Sequence, residues 1–265
     1  MLLPIGDDDR ALSGPALVTW GLLLVNLYVF FFLQQGPAGE AFTYGWSVIP
    51  REITEGVDLV AGARVMVEGQ SVTVPNAPGP SPIYWTILSA MFMHGGLMHL
   101  LGNILYLWIF GDNVEHRFGS VVFLFFYLAS GVVATFAQIA LDPGGLVPNL
   151  GASGAISGVL GAYLVLFPSN KVRALFFIFI VTVPAVVAIG LWIFFQFING
   201  YGAFVVSEEV VEGVAYGAHI GGFVAGVVLA FVLRRLIKKE PNNIFRDVPE
   251  TYRPHRYYYR TRRQG

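Results

Sequence analysis

The chain has 265 residues, of which 55% are hydrophobic and only 12% are charged, and its mean hydropathy is +0.63. This composition excludes an ordinary soluble domain and predicts an integral membrane protein. The sequence contains no cysteine, which excludes disulfides, thiolate catalysis and cysteine-ligated metal. We expect no cofactor, no metal ion and no nucleic-acid partner. We expect the protein to interact with the lipid bilayer.

Six apolar runs predict an all-α bundle of six membrane-spanning helices. The runs cover residues 16–33, 97–110, 121–141, 152–167, 172–198 and 214–236. The apolar segment from Ile83 is interrupted by the sequence His-Gly-Gly at 94–96, which predicts an interfacial helix before a short second span. The fifth run contains Pro184 and is long enough to span with a tilt or a kink.

Charged residues predict the orientation of these helices. Ten of the 16 Lys and Arg residues lie between Arg234 and Arg263, and the connections that fall on the opposite side are acidic. Positive charge collects on the cytoplasmic side, so both termini are predicted to be cytoplasmic in a multi-pass cell-membrane protein. The predicted segments are a cytoplasmic N-terminus (1–15), a membrane domain (16–236) with a long polar outer loop (36–81), and a basic cytoplasmic tail (237–265). Within the loop, alternating residues at 64–67 and 71–74 favour a small β-hairpin.

Few polar residues lie at membrane depth, and each is therefore a functional hypothesis. Ser153 is in the first turn of the fourth helix, where free backbone N–H groups favour an oxyanion. His219 in the sixth helix is followed by Gly222 and Gly226 on the same face, which allows close packing of the fourth and sixth helices. We predict that His219 reaches Ser153 near the outer face and removes its proton, as a dyad without a carboxylate.

Oxyanion donors are expected from the second helix, where His99 and Asn103 share a face, and from the Ser153 amide. Each part also has a structural interpretation. The G-x-S-G sequence is typical of a glycine-rich helix contact, and His219 alone could be a hydrogen-bonded packing residue. His94 and His99 suggest a metal site, but i, i+5 spacing on one helix predicts different faces. Residues 115–117 suggest a solvated or interfacial charge cluster.

Four motifs in order resemble the rhomboid family of intramembrane serine proteases, over residues 83–236. They are His94, His99 and Asn103 with H-x4-H-x3-N spacing, Glu-His-Arg-Phe-Gly at 115–119, Gly-Ala-Ser-Gly at 151–154, and Ala218-His219 with Gly222 and Gly226. The resemblance implies that Ser153 is the nucleophile and His219 the general base, while His99 and Asn103 help to bind the oxyanion. It also implies that His94 holds a loop and hydrates the site, and that Gly151, Gly222 and Gly226 support it.

One substitution stands out against the family pattern. Ser157 occupies the position where some members have a tyrosine stacked on the catalytic histidine, so another group must orient His219. The fifth helix with Pro184, and residues 199–213 after it, are candidates for a lateral gate and cap.

The sequence therefore predicts an intramembrane serine endopeptidase that hydrolyses peptide bonds in or next to transmembrane segments of membrane-protein substrates. The main alternative is a catalytically silent rhomboid-like protein that binds and sorts membrane clients. Silent relatives usually lack one member of the dyad, and both are present here. A transporter or channel would have charged residues deep in several helices or paired repeats, which the sequence lacks.

Overall fold

A computed structural model describes residues 2–8, 14–67, 70–205 and 215–237 as a mostly helical protein. The predicted basic tail lies outside the described residues beyond position 237. Within the described residues, three helices are long and apolar enough to cross a membrane, and a bent pair makes a fourth candidate. The three single spans are Leu17–Gln34, Ser120–Leu141 and Tyr216–Leu236.

The elements follow the chain in this order. The helices are α1 (Leu17–Tyr28, continued by a π-helical turn over Val29–Gln34), α2 (Gly39–Trp46), α3 (Pro50–Glu55), α4 (Thr86–Ser89, between two 3-10 turns), α5 (Leu97–Phe118), α6 (Ser120–Leu141), α7 (Ser153–Leu166), α8 (Ala185–Val205) and α9 (Tyr216–Leu236). The strands are β1 (Leu2–Gly6), β2 (Ala63–Val67), β3 (Gln70–Val74), β4 (Lys171–Phe176) and β5 (Phe179–Pro184).

The interruption at residues 94–96 separates two helical segments, as predicted. Residues 83–92 form a short irregular helix that meets α5 at an angle of 76°. The expected short second span is wrong, because α5 continues to Phe118 and has 22 residues. Its extension contains Asp112, Asn113 and Glu115. Oδ1 of Asp112 accepts a hydrogen bond from the neighbouring backbone N–H of Asn113. The other two side chains bond to distant parts of the chain, because Asn113 donates to Asp7 and Glu115 accepts from Thr19.

Glu115 is buried and holds the start of α1, so the expectation of a solvated charge cluster at 115–117 is wrong for this residue. Its carboxylate accepts hydrogen bonds from the backbone N–H of Val18 at 3.0 Å and of Thr19 at 2.7 Å. The hydroxyls of Thr19 and Ser120 also donate to it, at 2.8 and 2.6 Å. Since first-turn N–H groups have no partner within their own helix, Glu115 acts as the cap that α1 lacks locally.

Helices α7 and α9 pack with their backbones in contact, as the glycine spacing predicts. A Cβ atom built at Gly222 would lie 2.0 Å from the carbonyl oxygen of Gly154, and one at Gly226 would lie 2.0 Å from that of Gly158. No side chain fits at these separations. The two helices therefore hold the residues at their N-terminal ends in a fixed relation.

The fifth apolar run does not form one helix, so the prediction of a span over residues 172–198 is wrong. Its first part forms the antiparallel hairpin β4–β5, and β1 pairs with β4 to give a three-stranded sheet in the order β1-β4-β5. The sheet lies against α5 and α8. Pro184 ends β5, immediately before α8, so it neither kinks nor tilts a helix. A short apolar run rich in β-branched residues fits a strand as well as a buried helix, which explains the error.

The predicted outer loop, residues 36–81, contains the predicted β-hairpin, which is formed by β2 and β3. The loop is also tied to the segment that precedes α7. Val48 and Asn149 exchange backbone hydrogen bonds of 3.0 and 2.7 Å, and the N–H of Arg51 donates to the carbonyl of Gly145 at 3.1 Å. These bonds fix the outer loop to the chain that leads into Ser153.

Candidate active site

Ser153 is the first residue of α7 and directly follows Ala152, whose backbone is already in a helical conformation. The N–H groups of a first helical turn have no intrahelical acceptor, and the positive end of the helix dipole favours negative charge beside them. The first turn of α7 therefore supplies hydrogen-bond donors and partial positive charge without a positively charged side chain. A developing oxyanion close to Ser153 would therefore be stabilised by the helix itself.

Gly151 sets the direction in which the chain enters α7. Its φ of +140° lies in the region that favours glycine, and its N–H donates to the carbonyl of Ala90 at 2.9 Å. A Cβ atom at this position would lie 2.9 Å from Cε1 of His99 and 3.4 Å from Oγ of Ser153. Both the backbone conformation and the space beside the His99 ring therefore require glycine.

His219 lies one turn into α9, and the packing of α7 against α9 brings its ring to Ser153. Its Nε2 is 2.8 Å from Oγ of Ser153. This is hydrogen-bond distance, and it joins two residues that are 66 positions apart in the sequence. At this distance a proton can pass between the serine hydroxyl and the imidazole.

The other ring nitrogen of His219 is also engaged. Its Nδ1 lies 2.8 Å from Oε1 of Gln196 on α8, and the Trp192 ring lies 6.0 Å from the His219 ring between centroids. Ser157 does not take part, because its hydroxyl donates to the Ser153 carbonyl at 2.6 Å. The contact of Gln196 with His219 was not predicted from the sequence. Gln196 is, however, a polar side chain within an apolar helix, and this alone makes it a candidate functional residue.

His99 and Asn103 lie one turn apart at the start of α5. The Asn103 side chain is buried and its Nδ2 donates to the carbonyl of His99 at 3.1 Å. The His99 ring borders Gly151, and its Nδ1 lies 3.3 Å from the backbone N of Gly95. Two of the expected oxyanion donors thus lie on one face of α5, and His99 is placed next to the segment that carries Ser153.

His94 is buried at 2% exposure and held by its backbone. Its N–H donates to Oε1 of Gln34 at 2.8 Å, and its carbonyl accepts from Nε2 of Gln34 at 3.0 Å. Neither ring nitrogen has a hydrogen-bond partner among the described residues. The His94 and His99 rings lie 5.3 Å apart. The prediction that i, i+5 spacing places the two rings on different faces is wrong, because the chain turns between the two residues. Within the described ranges, no group of three or more His, Asp or Glu side chains is placed to bind a metal ion.

A pocket opens beside Ser153 between α6, α7 and α9. Much of its wall consists of residues with little or no side chain, namely Gly131, Ala134, Gly154, Ala155, Ala215 and Ala218. Polar groups of Gln138 and Asn149 line another part of it. The cavity has a volume of about 40 Å³, so the space next to the serine is suited to a small group.

The rhomboid-domain family model matches residues 82–236, which is more than half of the chain. The chain belongs to the rhomboid family. It is 38% identical over 151 residues to "Rhomboid protease GluP" of Bacillus subtilis (strain 168), covering 57% of this chain and 26% of the relative. It is 34% identical over 179 residues to "RHOMBOID-like protein 4" of Arabidopsis thaliana, covering 65% of this chain and 39% of the relative.

A third similar protein is "Rhomboid protein 1, mitochondrial" of Saccharomyces cerevisiae, at 29% identity over 58% of this chain and 43% of the relative. The chain spans less than half the length of each of these three proteins. The resemblance stated from the motifs is confirmed at the level of the family. The family and the apolar helices together identify a multi-pass membrane protein related to proteases.

Proposed function

We propose that this protein is an intramembrane serine endopeptidase that cleaves membrane-protein substrates in or next to their transmembrane segments. The observation that carries the proposal is the 2.8 Å hydrogen bond between Nε2 of His219 and Oγ of Ser153. A serine hydroxyl is a weak nucleophile until a neighbouring base takes its proton. A histidine at this distance, with its other nitrogen engaged elsewhere, meets that need.

In the proposed reaction, Oγ of Ser153 attacks the scissile carbonyl while His219 accepts the serine proton at Nε2. The negative charge then develops on the carbonyl oxygen, where the Ser153 amide, Asn103 and His99 donate hydrogen bonds. His219 next gives the proton to the leaving amine, and a water molecule hydrolyses the acyl-enzyme with His219 as base. Each oxyanion donor is expected to lower the barrier by about 3–4 kcal/mol.

The fold gives this chemistry a position in the bilayer. We propose that α1, α5, α6, α7, α8 and α9 form six spans, with both termini cytoplasmic and the site toward the outer face. Helix α7 has 14 residues, or about 21 Å of helix, against about 30 Å of hydrocarbon. If its far end lies at the inner boundary, Ser153 lies below the outer surface. Water must reach it through a cavity open to that side.

The pocket beside Ser153 supports a restriction on the substrate. Its wall of glycine and alanine residues accommodates a small side chain, which we place immediately before the scissile bond. A large side chain there would collide with backbone that is fixed by the packing of α7 against α9. Substrates with Ala, Ser or Gly at this position are therefore expected to be cleaved faster than variants with Leu or Phe.

The test uses the full chain, purified in detergent, and a model substrate with a single transmembrane segment. Wild type is expected to cleave it, and Ser153→Ala and His219→Ala are each expected to lose at least about 1,000-fold in rate. Melting temperatures measure whether each variant is still folded. Retained cleavage by both variants would contradict the assignment of the dyad. An inactive wild type across several substrates, combined with stable binding of them, would favour the client-sorting alternative.

A further inference from the structure

A side chain of α8 contacts the second ring nitrogen of His219. The family pattern leaves this role open, because Ser157 replaces an aromatic ring and its hydroxyl is bonded to the Ser153 carbonyl. Among the described residues, Gln196 is the side chain hydrogen-bonded to the second ring nitrogen. We propose that Gln196 positions His219, so that Ser153, His219 and Gln196 form a hydrogen-bonded triad in which the proton on Nδ1 stays with His219. The inference rests on the proposed protease function.

The bond to Gln196 determines the tautomer of the His219 imidazole. A neutral histidine can accept the Ser153 proton at Nε2 only if its own proton is on Nδ1. Oε1 of Gln196 is an acceptor without a proton, so at 2.8 Å it stabilises the Nδ1–H form. The opposite tautomer would direct a donor at Ser153 and could not activate it. Gln196 therefore selects the productive form of the base.

Gln196 also stabilises the positive charge that His219 acquires during the reaction. Proton transfer from Ser153 leaves His219 as an imidazolium, and the Gln196 carbonyl then accepts a charge-assisted hydrogen bond. A carboxylate in this position would stabilise the imidazolium more, but an ionised side chain within a membrane helix costs several kcal/mol before any reaction occurs. An amide provides orientation without that cost.

The contact between Gln196 and His219 depends on the position of α8. Gln196 and Trp192 are four residues apart on α8, and both reach the His219 ring from the same face. Ser153 and His219, by contrast, come from α7 and α9, whose glycines bring the two backbones together. A displacement of α8 by about 1 Å would weaken the bond to Nδ1 while leaving the Ser153–His219 pair in place. The competence of the base therefore depends on the position of α8.

The decisive variants are Gln196→Met, which keeps the shape and removes the acceptor, and Gln196→Glu, which keeps an acceptor and adds charge. With the model substrate, Gln196→Met is expected to lower kcat by about 10- to 100-fold with little change in KM. Gln196→Glu is expected to restore activity above that of Gln196→Met, with the acidic limb of its rate–pH profile moved to higher pH. The shift follows because a carboxylate favours the protonated imidazole. Gln35→Met, the same exchange at an exposed position outside the proposed site and gate, is the matched control and should match wild type.

A second readout does not depend on turnover. The side-chain nitrogen resonances of His219, assigned by their loss in His219→Ala, should report the Nδ1–H tautomer in wild type and a mixture in Gln196→Met. Wild-type kcat and an unchanged tautomer in Gln196→Met would overturn the proposal. Equal loss in Gln196→Glu and Gln196→Met with no shift of the pH limb would also overturn it, since that pattern indicates packing alone. Full activity of Ser153→Ala would instead contradict the proposed function, which separates the two failures.

Discussion

The two ends of α5 border buried polar clusters that are satisfied to very different degrees. Near the C-terminal end, the Glu115 carboxylate accepts hydrogen bonds from Val18, Thr19 and Ser120. Near the N-terminal end, His94 is equally buried, yet its ring nitrogens have no partner among the described residues. The two ends of α5, which has 22 residues, are about 33 Å apart along the helix axis.

The difference shows how this membrane protein divides its polar groups between stability and chemistry. A buried polar group that is fully hydrogen-bonded stabilises the fold and has no capacity left for a substrate. A group that keeps free donors or acceptors costs stability but can bind water or a reacting atom. Variants of Glu115 at the C-terminal end should therefore change unfolding first. Variants of the neighbouring residues at the N-terminal end, His99 and Asn103, should change turnover first.

The largest effect on stability is expected for Glu115→Gln. The amide keeps the shape but loses the charge, and its NH2 group faces donors that need an acceptor. We expect the free energy of unfolding to fall by about 3 kcal/mol, and the melting temperature in detergent by roughly 5–10 °C. Glu40→Gln, at an exposed position in α2, is the control. Equal melting temperatures for Glu115→Gln and wild type would show that the capping of α1 contributes nothing.

The next effect is on catalysis, at the other end of the helix. Asn103→Ala removes a proposed oxyanion donor, and kcat should fall by about 100- to 1,000-fold with a small change in melting temperature. Met98→Ala is a suitable control, because the Met98 side chain on the same helix is 80% exposed. The measurement is single-turnover cleavage with saturating enzyme. If the rate constant is unchanged while stability falls, Asn103 is a structural residue.

The approach of Ser153 and His219 could be predicted from the sequence because it depends on local periodicity. Gly222 and Gly226 lie one turn apart below His219, and small residues on one face of a helix permit only a close neighbour. The ends of α6 and the short length of α7 also follow from the apolar runs. In each case the information lies within a few turns of one element.

The β1-β4-β5 sheet and the role of Gln196 could not be predicted in the same way. Strand β1 pairs with β4 across about 170 residues, and nothing in either segment specifies the other. The partner of Gln196 depends on where α8 lies relative to α9. Glu115 was misjudged for a similar reason, because its donors are in α1 and α6. The sheet and the partners of Gln196 and Glu115 depend on contacts between elements that are distant in the sequence. The residue pattern of a single segment does not predict such contacts.

Glu52, in helix α3 of the outer loop, is intermediate between Glu115 and His94 in how fully its buried polar atoms are hydrogen-bonded. Its side chain is 2% exposed, and Oε1 accepts a hydrogen bond from the backbone N–H of Leu59 at 2.8 Å. Burial raises the pKa of the Glu52 carboxyl to about 7, against the lowering effect of this hydrogen bond, and the charge of Asp58 raises it further. Unlike Glu115, this carboxylate is poorly compensated when ionised.

The smallest predicted effect follows from the sign of that shift. Because the pKa of Glu52 is higher in the folded state than its ordinary value of 4.5, the folded protein retains a proton that the unfolded chain releases. Its contribution to stability is therefore full below about pH 4.5 and is lost as the pH rises through about 7. Glu52→Gln should raise the melting temperature relative to wild type at pH 8 more than at pH 5, whereas Glu55→Gln, at an exposed position on the same helix, should show no such difference. Hydrogen exchange at Val48 and Asn149 should show the same trend, since their backbone bonds tie this loop to the segment before Ser153. If the melting temperatures of Glu52→Gln and wild type differ equally at pH 5 and pH 8, Glu52 is ionised at both pH values. Its buried charge then does not destabilise the contact between the outer loop and the segment before Ser153.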